Sequence, residues 1–456
     1  MSVTSTPTTT LDAEGPAGEA PLTLTTEPPR PLGFTDQLAM WGNLGISLFG
    51  PLTGALIATT AGSVGLALAA IVVGCGLGAL LLGASAIFGA ATGAPAMVTL
   101  RGLVGRRGSV LPTLLNIAQN IGWATMEIIV ISTAAVAVLG AAWRWPFVIL
   151  AGAAATTMAI RPLGSVRLLR KVMVWLVLAA SVFLFVQVLL QPRQSIPQES
   201  ILGFWPAVDL AVAGVVSFAP LAADYSRHSR TRKAAFWGAS LGYGLAAVAY
   251  YALGVFAVVN LGVGASDVIT ALVTLPAGAI AIAILLVDEV DEAFANVYST
   301  AMSVHNIVPQ LDRRIVALII GVTATLLAGL LDFGQYQSFL FLIGSVFVPL
   351  YAVAAVDFFL VSRQHWDVST TSRLRAAPVI AWACGFAAYQ LVYPGTVPGW
   401  ADFWAWVDTS IRFVPPGWLG SSVAAIVVGG LVMFISGLLL RYRQDARTEH
   451  AGERVS

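Results

Sequence analysis

The residues of this chain with the most chemical capacity lie in one apolar stretch, residues 285–307, which reads LLVDEVDEAFANVYSTAMSVHNI. Its middle carries four carboxylates, Asp288, Glu289, Asp291 and Glu292. A carboxylate at the centre of a membrane-spanning helix costs roughly 2.5–3.5 kcal/mol to insert, more than several Leu or Ile side chains return. We therefore predict that these acidic groups face protein, water, an ion or a solute rather than lipid.

Helical spacing places most of these polar groups on one face. Four residues follow one another at i, i+3, i+4 and i+8, the spacing of a single helical stripe. They are Asp288, Asp291, Glu292 and Asn296, and Thr300 continues the stripe. The stripe predicts the wall of an ion and solute pathway. The alternative is an exposed acidic turn between two apolar segments, each too short to cross a bilayer.

A second polar group lies in the apolar stretch LLNIAQNIGWATMEIIV. Asn120, Trp123 and Glu127 are spaced at i, i+3 and i+7, so they share one face of a helix. The indole offers a flat surface for stacking a planar ring, and the amide and the carboxylate offer hydrogen bonds at the edge of that ring. Trp123 and Asn120 are also compatible with ordinary helix packing, whereas a carboxylate in the middle of a span is harder to explain without a function.

The composition indicates the class of protein to which these groups belong. Of 456 residues, 57% are hydrophobic and 10% are charged, with a mean hydropathy of +0.83, whereas a soluble domain carries about a quarter charged residues. We therefore predict an all-α polytopic membrane protein. The net charge of +1 gives no support for nucleic-acid binding, and Cys75 and Cys384 indicate neither a disulfide framework nor a metal site.

An intramembrane enzyme is disfavoured by the motifs. The sequence has no HExxH, which a metalloprotease would need. A GxSxG motif runs from Gly238 to Gly242, but it opens an apolar helix without the strand–turn–helix setting of a serine hydrolase. Packing of small residues between helices explains this motif better. We predict no cofactor other than a coupling ion.

Apolar segments long enough to span a bilayer recur along the chain, and we count twelve. They cover about residues 38–61, 65–92, 109–140, 145–160, 169–190, 204–224, 236–260, 276–307, 312–331, 335–361, 376–393 and 417–440. Of the 24 Lys and Arg residues, Arg144, Arg193 and Arg412 then fall in loops on one side, and the other 21 lie on the side of the termini. This bias predicts a bacterial-type plasma-membrane protein with both termini in the cytoplasm.

The first and the sixth of these spans contain helix-breaking residues near their centres. Gly50 and Pro51 interrupt WGNLGISLFGPLTGALI, and Gly214 and Pro220 interrupt LAVAGVVSFAPLAADYSR. Interrupted helices five spans apart predict inverted repeats with a binding site at the midplane of the membrane. Unwound backbone there offers carbonyls to a cation and helix N-termini to a polar solute. The alternative is a pair of ordinary proline kinks.

Several segments resemble those of a known transporter family. They are WGNLGISLFGPLTG in the first span, LRGLVGRRGSVLPTLLNIAQNIGW entering the third, ADYSRHSR ending the sixth, ANVYSTAMSVHNIVP in the eighth and IGSVFVPLYAVAAVDFF in the tenth. In this order and spacing the chain resembles the nucleobase–cation symporter family, which includes the bacterial cytosine, allantoin and hydantoin permeases. The resemblance implies a five-plus-five inverted-repeat core, as in the sodium-coupled amino-acid transporters, with two additional C-terminal helices.

The resemblance also implies where a substrate binds. A planar heterocycle would lie between an aromatic residue of the third span and one at the break of the sixth, and the matching positions are Trp123 and Phe218. Polar partners would come from the third span, the sixth-span break and the eighth span. These map to Asn120 or Glu127, to Ser217 and to Asn296.

A family sodium site is implied at backbone carbonyls of the first span, with oxygens of the eighth. The hydroxyl pair expected just before the Asn of the eighth span is missing here, and Asp291 and Glu292 stand near that place. A carboxylate can replace a hydroxyl ligand or carry a proton instead. Because carboxylates this close cannot all ionise cheaply, we expect at least one to bind a proton. The residues predicted to couple a cation are Gly45, Leu48, Asp288, Asp291 and Glu292.

The sequence thus predicts a secondary active transporter that imports a purine or cytosine-like nucleobase together with H⁺ or Na⁺. The alternatives are a permease for a related planar heterocycle, such as allantoin, hydantoin, uracil or a pyrimidine vitamin precursor, and a passive facilitator or channel. A channel would line a continuous polar pore. The expected organisation is a disordered cytoplasmic tail over 1–34, a ten-helix transport core over 35–361, two further helices over 362–440 and a cytoplasmic tail over 441–456.

Overall fold

The computed structural model describes the backbone of residues 28–160, 166–196, 201–308 and 310–453, and their side chains except at 166–174, 291 and 441–453. The predicted N-terminal tail up to residue 27, the side chain of Asp291 and the side chains of the C-terminal tail therefore lie outside the described residues. The α-helices are α1 (Phe34–Leu44), α2 (Phe49–Ala61), α3 (Val64–Thr92), α4 (Ala96–Gly108), α5 (Val110–Leu139), α6 (Arg144–Ile160), α7 (Val166–Leu189), α8 (Phe204–Val216), α9 (Ala219–Ser226), α10 (Arg232–Leu261), α11 (Val268–Thr274), α12 (Gly278–Ile307), α13 (Arg313–Leu330), α14 (Tyr336–Val356), α15 (Ala376–Val392), α16 (Trp400–Ile411) and α17 (Ser421–Glu453).

The predicted all-α membrane fold is confirmed. Seven helical segments of the described chain, one of which joins α8 and α9, are each long and apolar enough to cross a bilayer, and the number becomes nine when each of two sharply bent helix pairs counts as one span. Two more helical segments are apolar but shorter, Trp175–Leu189 and Ala376–Val392. The count of twelve spans stays a prediction.

The first span breaks one turn earlier than the sequence indicated. α1 ends at Leu44 and α2 begins at Phe49, with a bend of 66° between them, so residues 45–48 are the unwound segment. Gly50 and Pro51 lie in the first turn of α2. Pro51 costs no hydrogen bond there, because the first four N–H groups of a helix have no acceptor within that helix. The proline therefore begins the second half-helix.

The sixth span breaks between its two predicted interrupters. α8 ends at Val216 and α9 begins at Ala219, so Ser217 and Phe218 form the break. Pro220 again lies at the start of the second half-helix. Both half-helices that follow a break thus begin with a proline in their first turn, where its missing N–H is tolerated.

The helices pack into two groups on either side of these breaks. α1, α2, α3, α8, α9 and α10 pack together, and α5, α6, α12 and α13 form the second group. α14 joins α8 to the C-terminal helices α15 and α17. The carboxylate of Asp209 in α8 also holds α17, because it accepts the N–H groups of Ser421 at 3.0 Å and Ser422 at 2.8 Å.

The short helix α4, which the sequence left in a loop, connects the two groups near the end of α9. The carboxylate of Asp224 in α9 accepts the N–H of Ala96 at the start of α4, at 2.8 Å, and the hydroxyl of Ser299 in α12, at 3.4 Å. Beside it, the Arg101 guanidinium donates to the side chain of Asn306 at 2.9 Å. These contacts close the space between the groups on that side.

The GxSxG motif of α10 has the packing role that the sequence analysis favoured. A Cβ on Gly238 would overlap Gln37 of α1, and one on Gly242 would meet the backbone carbonyl of Leu38 at 2.6 Å. The hydroxyl of Ser240 donates to the carbonyl of Ala79 at 2.9 Å, so it ties α10 to α3.

α2 and α10 also cross with their backbones in contact. A Cβ on Gly54 would overlap the carbonyl oxygen of Tyr251, and a Cβ on Gly254 would overlap that of Pro51. Small residues allow such close approach in a membrane, where packing contacts rather than the hydrophobic effect hold helices together. These two glycines therefore keep the half-helix α2 beside α10.

Replacing Gly254 by Val should separate these two helices. We expect a destabilisation of roughly 1–3 kcal/mol, typical of overpacking, seen as a lower midpoint of thermal unfolding in detergent. The matched control is Gly76→Val in α3, because no described neighbour lies within 4 Å of the position of its Cβ. Equal midpoints for the two variants would contradict this account of the α2–α10 contact.

Candidate functional site

A carboxylate from α12 closes the break in the first span. Oε1 of Glu289 accepts the N–H of Leu48 at 2.5 Å and the hydroxyl of Ser47 at 3.0 Å, and the side chain is only 1% exposed. The oxygen of the Ser47 hydroxyl in turn accepts the N–H of Phe49 at 3.1 Å. Glu289 therefore caps the N-terminus of α2, where free N–H groups and the helix dipole favour negative charge.

Glu289 is a residue that the sequence analysis left out of its candidate site. The buried face of α12 carries Glu289, Glu292 and Asn296, at i, i+3 and i+7, and they are 1%, 8% and 6% exposed. Asp288, which the predicted stripe included, is half-buried. The sequence also allows this stripe, because Glu289, Glu292 and Asn296 have helical spacing just as the predicted stripe with Asp288 does.

Two carboxylates and an amide meet where α12 faces α5. Nδ2 of Asn296 donates to Oε1 of Glu127 at 2.8 Å and to the backbone carbonyl of Glu292 at 3.2 Å. Within the described part of the chain, Oε2 of Glu127 and Oε1 of Glu292 are buried without a hydrogen-bond partner. Because an unsatisfied buried acceptor is costly, these two oxygens are well suited to accept hydrogen bonds from a bound molecule.

A cavity of about 30 Å³ lies between the two helix breaks, with room for about one water molecule. Both Glu127 and Glu292 line it, together with six aromatic side chains. These are Phe49, Trp123, Phe218, Tyr243, Tyr251 and Tyr336. The ring of Trp123 lies 5.4 Å from that of Phe49 and 6.0 Å from that of Tyr336, and the ring of Phe218 lies 4.7 Å from that of Tyr243. Flat walls with acceptors at their edge match the shape of a planar heterocycle.

The structure thus brings Trp123, Phe218 and Glu127 to one cavity and places Asn296 directly behind Glu127. Ser217 lies at the sixth-span break, where its hydroxyl donates to the carbonyl of Gly214 at 2.7 Å and so is engaged within its own helix. The predicted residues of the third, sixth and eighth spans therefore meet, although the part that each plays in substrate binding stays a prediction.

Asn120, like Ser217 and Asn296, does not belong to the cavity lining, and within the described chain it has no hydrogen bond to a lining residue, whereas Asn296 donates to Glu127. Its side chain is fully buried, and within the described residues neither amide atom has a hydrogen-bond partner. The adjacent Gln119 instead reaches the sixth-span break, since its Nε2 donates to the carbonyl of Ser217 at 3.1 Å. In the sequence Gln119 is only one of several amides in a polar run. The structure shows that its side chain points towards the sixth-span break.

The predicted cation-coupling residues separate into two groups. Gly45 and Glu292 line the cavity, and the N–H of Leu48 is bonded to Glu289 beside them. Asp288 does not line the cavity, and the side chain of Asp291 lies outside the described residues. The geometry therefore gathers the first-span break and the buried carboxylates of α12 in one place.

Two broken helices that face a buried cavity between two helix groups are the arrangement of a secondary transporter. Residues 33–392 match the model of a family described as permease for cytosine/purines, uracil, thiamine, allantoin. The chain belongs to this family of nucleobase–cation symporters. No curated protein sequence matches the chain significantly.

Solved structures show the same fold. The chain is similar to Mhp1, a nucleobase-cation-symport-1 family transporter, closed with bromovinylhydantoin bound, at 17% identity over 94% of this chain and 97% of that one, with a TM-score of 0.67. It is also similar to inward-facing Mhp1, at 18% identity over 95% of this chain and 94% of that one, with a TM-score of 0.69. A Na⁺-coupled sialic acid symporter in a substrate-bound outward-open state is 12% identical over 90% of this chain and 89% of that one, with a TM-score of 0.59. The five-plus-five inverted-repeat core with broken first and sixth spans is thereby confirmed.

Removing the Glu289 carboxylate should destabilise the break that it caps. Glu289→Ala leaves the N–H of Leu48 and the hydroxyl of Ser47 without their acceptor, at a cost of about 1–3 kcal/mol for each buried group. We expect a clearly lower midpoint of thermal unfolding in detergent. Glu289→Gln is the matched control, since its amide oxygen still accepts, and it should retain most of the stability. An alanine variant as stable as the parent chain would refute the capping role.

Proposed function

We propose that this chain imports a purine or cytosine-like nucleobase by secondary active transport coupled to H⁺ or Na⁺. The observation that carries the proposal is the aromatic cavity between the two helix breaks, into which Glu127 and Glu292 direct buried oxygens that lack a partner within the described chain. A nucleobase would present its faces to the rings and its N–H groups to the two acidic side chains.

The arrangement of Asn296 favours solutes that donate hydrogen bonds. Its amide group already donates to Glu127 and to the backbone of Glu292. Among the lining groups that lack a partner within the described residues, Oε2 of Glu127 and Oε1 of Glu292 are acceptors and the indole N–H of Trp123 is a donor. An amino-substituted ring such as cytosine, adenine or guanine matches two acceptors and one donor better than a ring that offers mainly carbonyls, such as uracil, hydantoin or allantoin. Those solutes remain the alternative substrates within the family.

The shape of the cavity supports a carrier over a passive pore. A space of about 30 Å³ is far below the roughly 300–1,000 Å³ of a usual ligand pocket, so a base must part the side chains or helices to enter. Such an enclosed site between two packed helix groups fits alternating access, in which one group rocks against the other around the bound solute.

Cation coupling would act at the first-span break. Glu289 of α12 accepts the N–H of Leu48 just before α2, and Glu292 and Gly45 line the adjacent cavity. A cation that binds these oxygens, either H⁺ or Na⁺, would change the contact between the two helix groups and so their relative stability in each conformation. The Na⁺-coupled sialic acid symporter and the hydantoin-bound Mhp1 support this kind of mechanism by their likeness in fold.

Uptake into proteoliposomes tests the proposed activity. We expect accumulation of labelled cytosine or a purine base above the external concentration when either a proton or a sodium gradient is imposed, and equilibration without one. Trp123→Ala should weaken apparent affinity roughly 10- to 100-fold, in line with about 1–3 kcal/mol for stacking one base. Trp143→Ala, at an exposed position outside the cavity lining, is the control. Uptake indifferent to both gradients would reject the coupled mechanism.

The carboxyl group of Glu127 should set the order of preference among solutes. Glu127→Gln keeps the size of the side chain but puts an NH₂ donor in place of one carboxyl oxygen, so affinity for amino-substituted bases should fall about tenfold while affinity for uracil changes less. Competition of unlabelled bases against labelled uptake measures this order. If the variant ranks the bases as the parent chain does, Glu127 does not read the donors of the solute.

A further inference from the structure

A groove at the start of α10 carries basic side chains that the transport site does not use. Gly33 and Phe34 form one wall, α10 forms the other, and the groove has a volume of about 460 Å³. Arg230 and Lys233 lie at its mouth, and both are exposed. The nearby carboxylate of Asp36 accepts the N–H of Gly33 at 2.8 Å. The two basic side chains, Arg230 and Lys233, therefore lie near a single acidic side chain. The mouth of the groove therefore has a net positive charge.

An apolar stripe continues from this basic mouth along α10. Trp237, Leu241 and Leu245 lie at i, i+4 and i+8, and they are 50%, 38% and 64% exposed. Trp237 and Leu241 also line the groove, so the stripe begins inside it. On a membrane-spanning helix, exposed apolar side chains of this kind face the lipid acyl chains.

The order of these residues indicates their depth in the bilayer. Trp is enriched at the interface between headgroups and hydrocarbon, and Lys and Arg near helix ends extend their charges towards the headgroups. With Trp237 at the interface, Lys233 lies one turn further out and Leu241 one turn further in. The two cations are thus at the level of lipid phosphates, directly above an apolar track.

We propose that this groove binds an anionic glycerophospholipid, with its phosphate between Arg230 and Lys233 and one acyl chain along the stripe from Trp237 to Leu245. Opposite charge attracts the phosphate, and basic residues at a membrane surface favour anionic over zwitterionic lipids. The apolar track distinguishes a lipid from free phosphate, because only a lipid has a chain to place on it. This inference does not depend on which solute the protein transports.

Native mass spectrometry of the full chain in detergent tests the proposal. Titration with phosphatidylglycerol and, separately, with phosphatidylcholine of the same acyl chains gives the dissociation constant of the first bound lipid. We expect tighter binding of phosphatidylglycerol. In Arg230→Gln/Lys233→Gln that constant should rise roughly 20- to 30-fold, while the one for phosphatidylcholine changes little. The control Arg106→Gln/Arg107→Gln removes two exposed charges from the end of α4 and should keep the preference.

Two further measurements keep the outcome decisive. Glycerol 3-phosphate, which has the anion without the chains, should fail to displace phosphatidylglycerol; displacement at equal concentration would mean an anion site and overturn the lipid proposal. Thermal unfolding should give the same midpoint for the double variant as for the parent chain. Equal binding of the two lipids by the parent chain, which needs no variant, also overturns the proposal, as does a preference that survives Arg230→Gln/Lys233→Gln.

Discussion

The contact between Glu289 and the start of α2 is the interaction on which the core depends. A helix break inside a membrane leaves backbone N–H groups without water, and each must find a partner within the protein. A carboxylate in a membrane helix is equally unfavourable unless donors surround it. Oε1 of Glu289 accepts from both residues 47 and 48, while its Oε2 is buried without a hydrogen-bond partner in the described residues. Two features that would each destabilise the chain alone thus become one contact between α12 and the first span.

The same reasoning explains why both breaks are followed by a proline. Unwinding costs hydrogen bonds, but Pro51 and Pro220 lie where their helices have no intrahelical acceptor for an N–H, so they add no further loss. Phe218 and Phe49, on either side of the cavity, are held at these breaks by short half-helices rather than by continuous ones. Two aromatic walls of the site are therefore positioned by the helix breaks themselves.

Much of this organisation could be predicted from the sequence, and the misses have physical causes. Apolar length predicts the all-α membrane fold, and the intramembrane acids predict that α12 turns a polar face towards the protein interior, because both are large free-energy terms. It was harder to predict which face of α12 points inward. Four acidic residues within five positions cover more than one face of the helix, and the helices packed against α12 decide which of these faces is buried. Glu289 was missed for that reason. Gln119 and Asn120 are adjacent amides, and only the position of the sixth-span break determines which one contacts it.

The small volume of the cavity between the two helix breaks limits how much water the proposed transport cycle could carry with the solute. Since it admits only about one water molecule, little solvent would travel with each turnover of the proposed transport. Under that mechanism the same tightness would make the dimensions of the solute, rather than its affinity alone, govern how far α12 and α2 separate, and bulky ring substituents would slow the cycle more than they weaken binding.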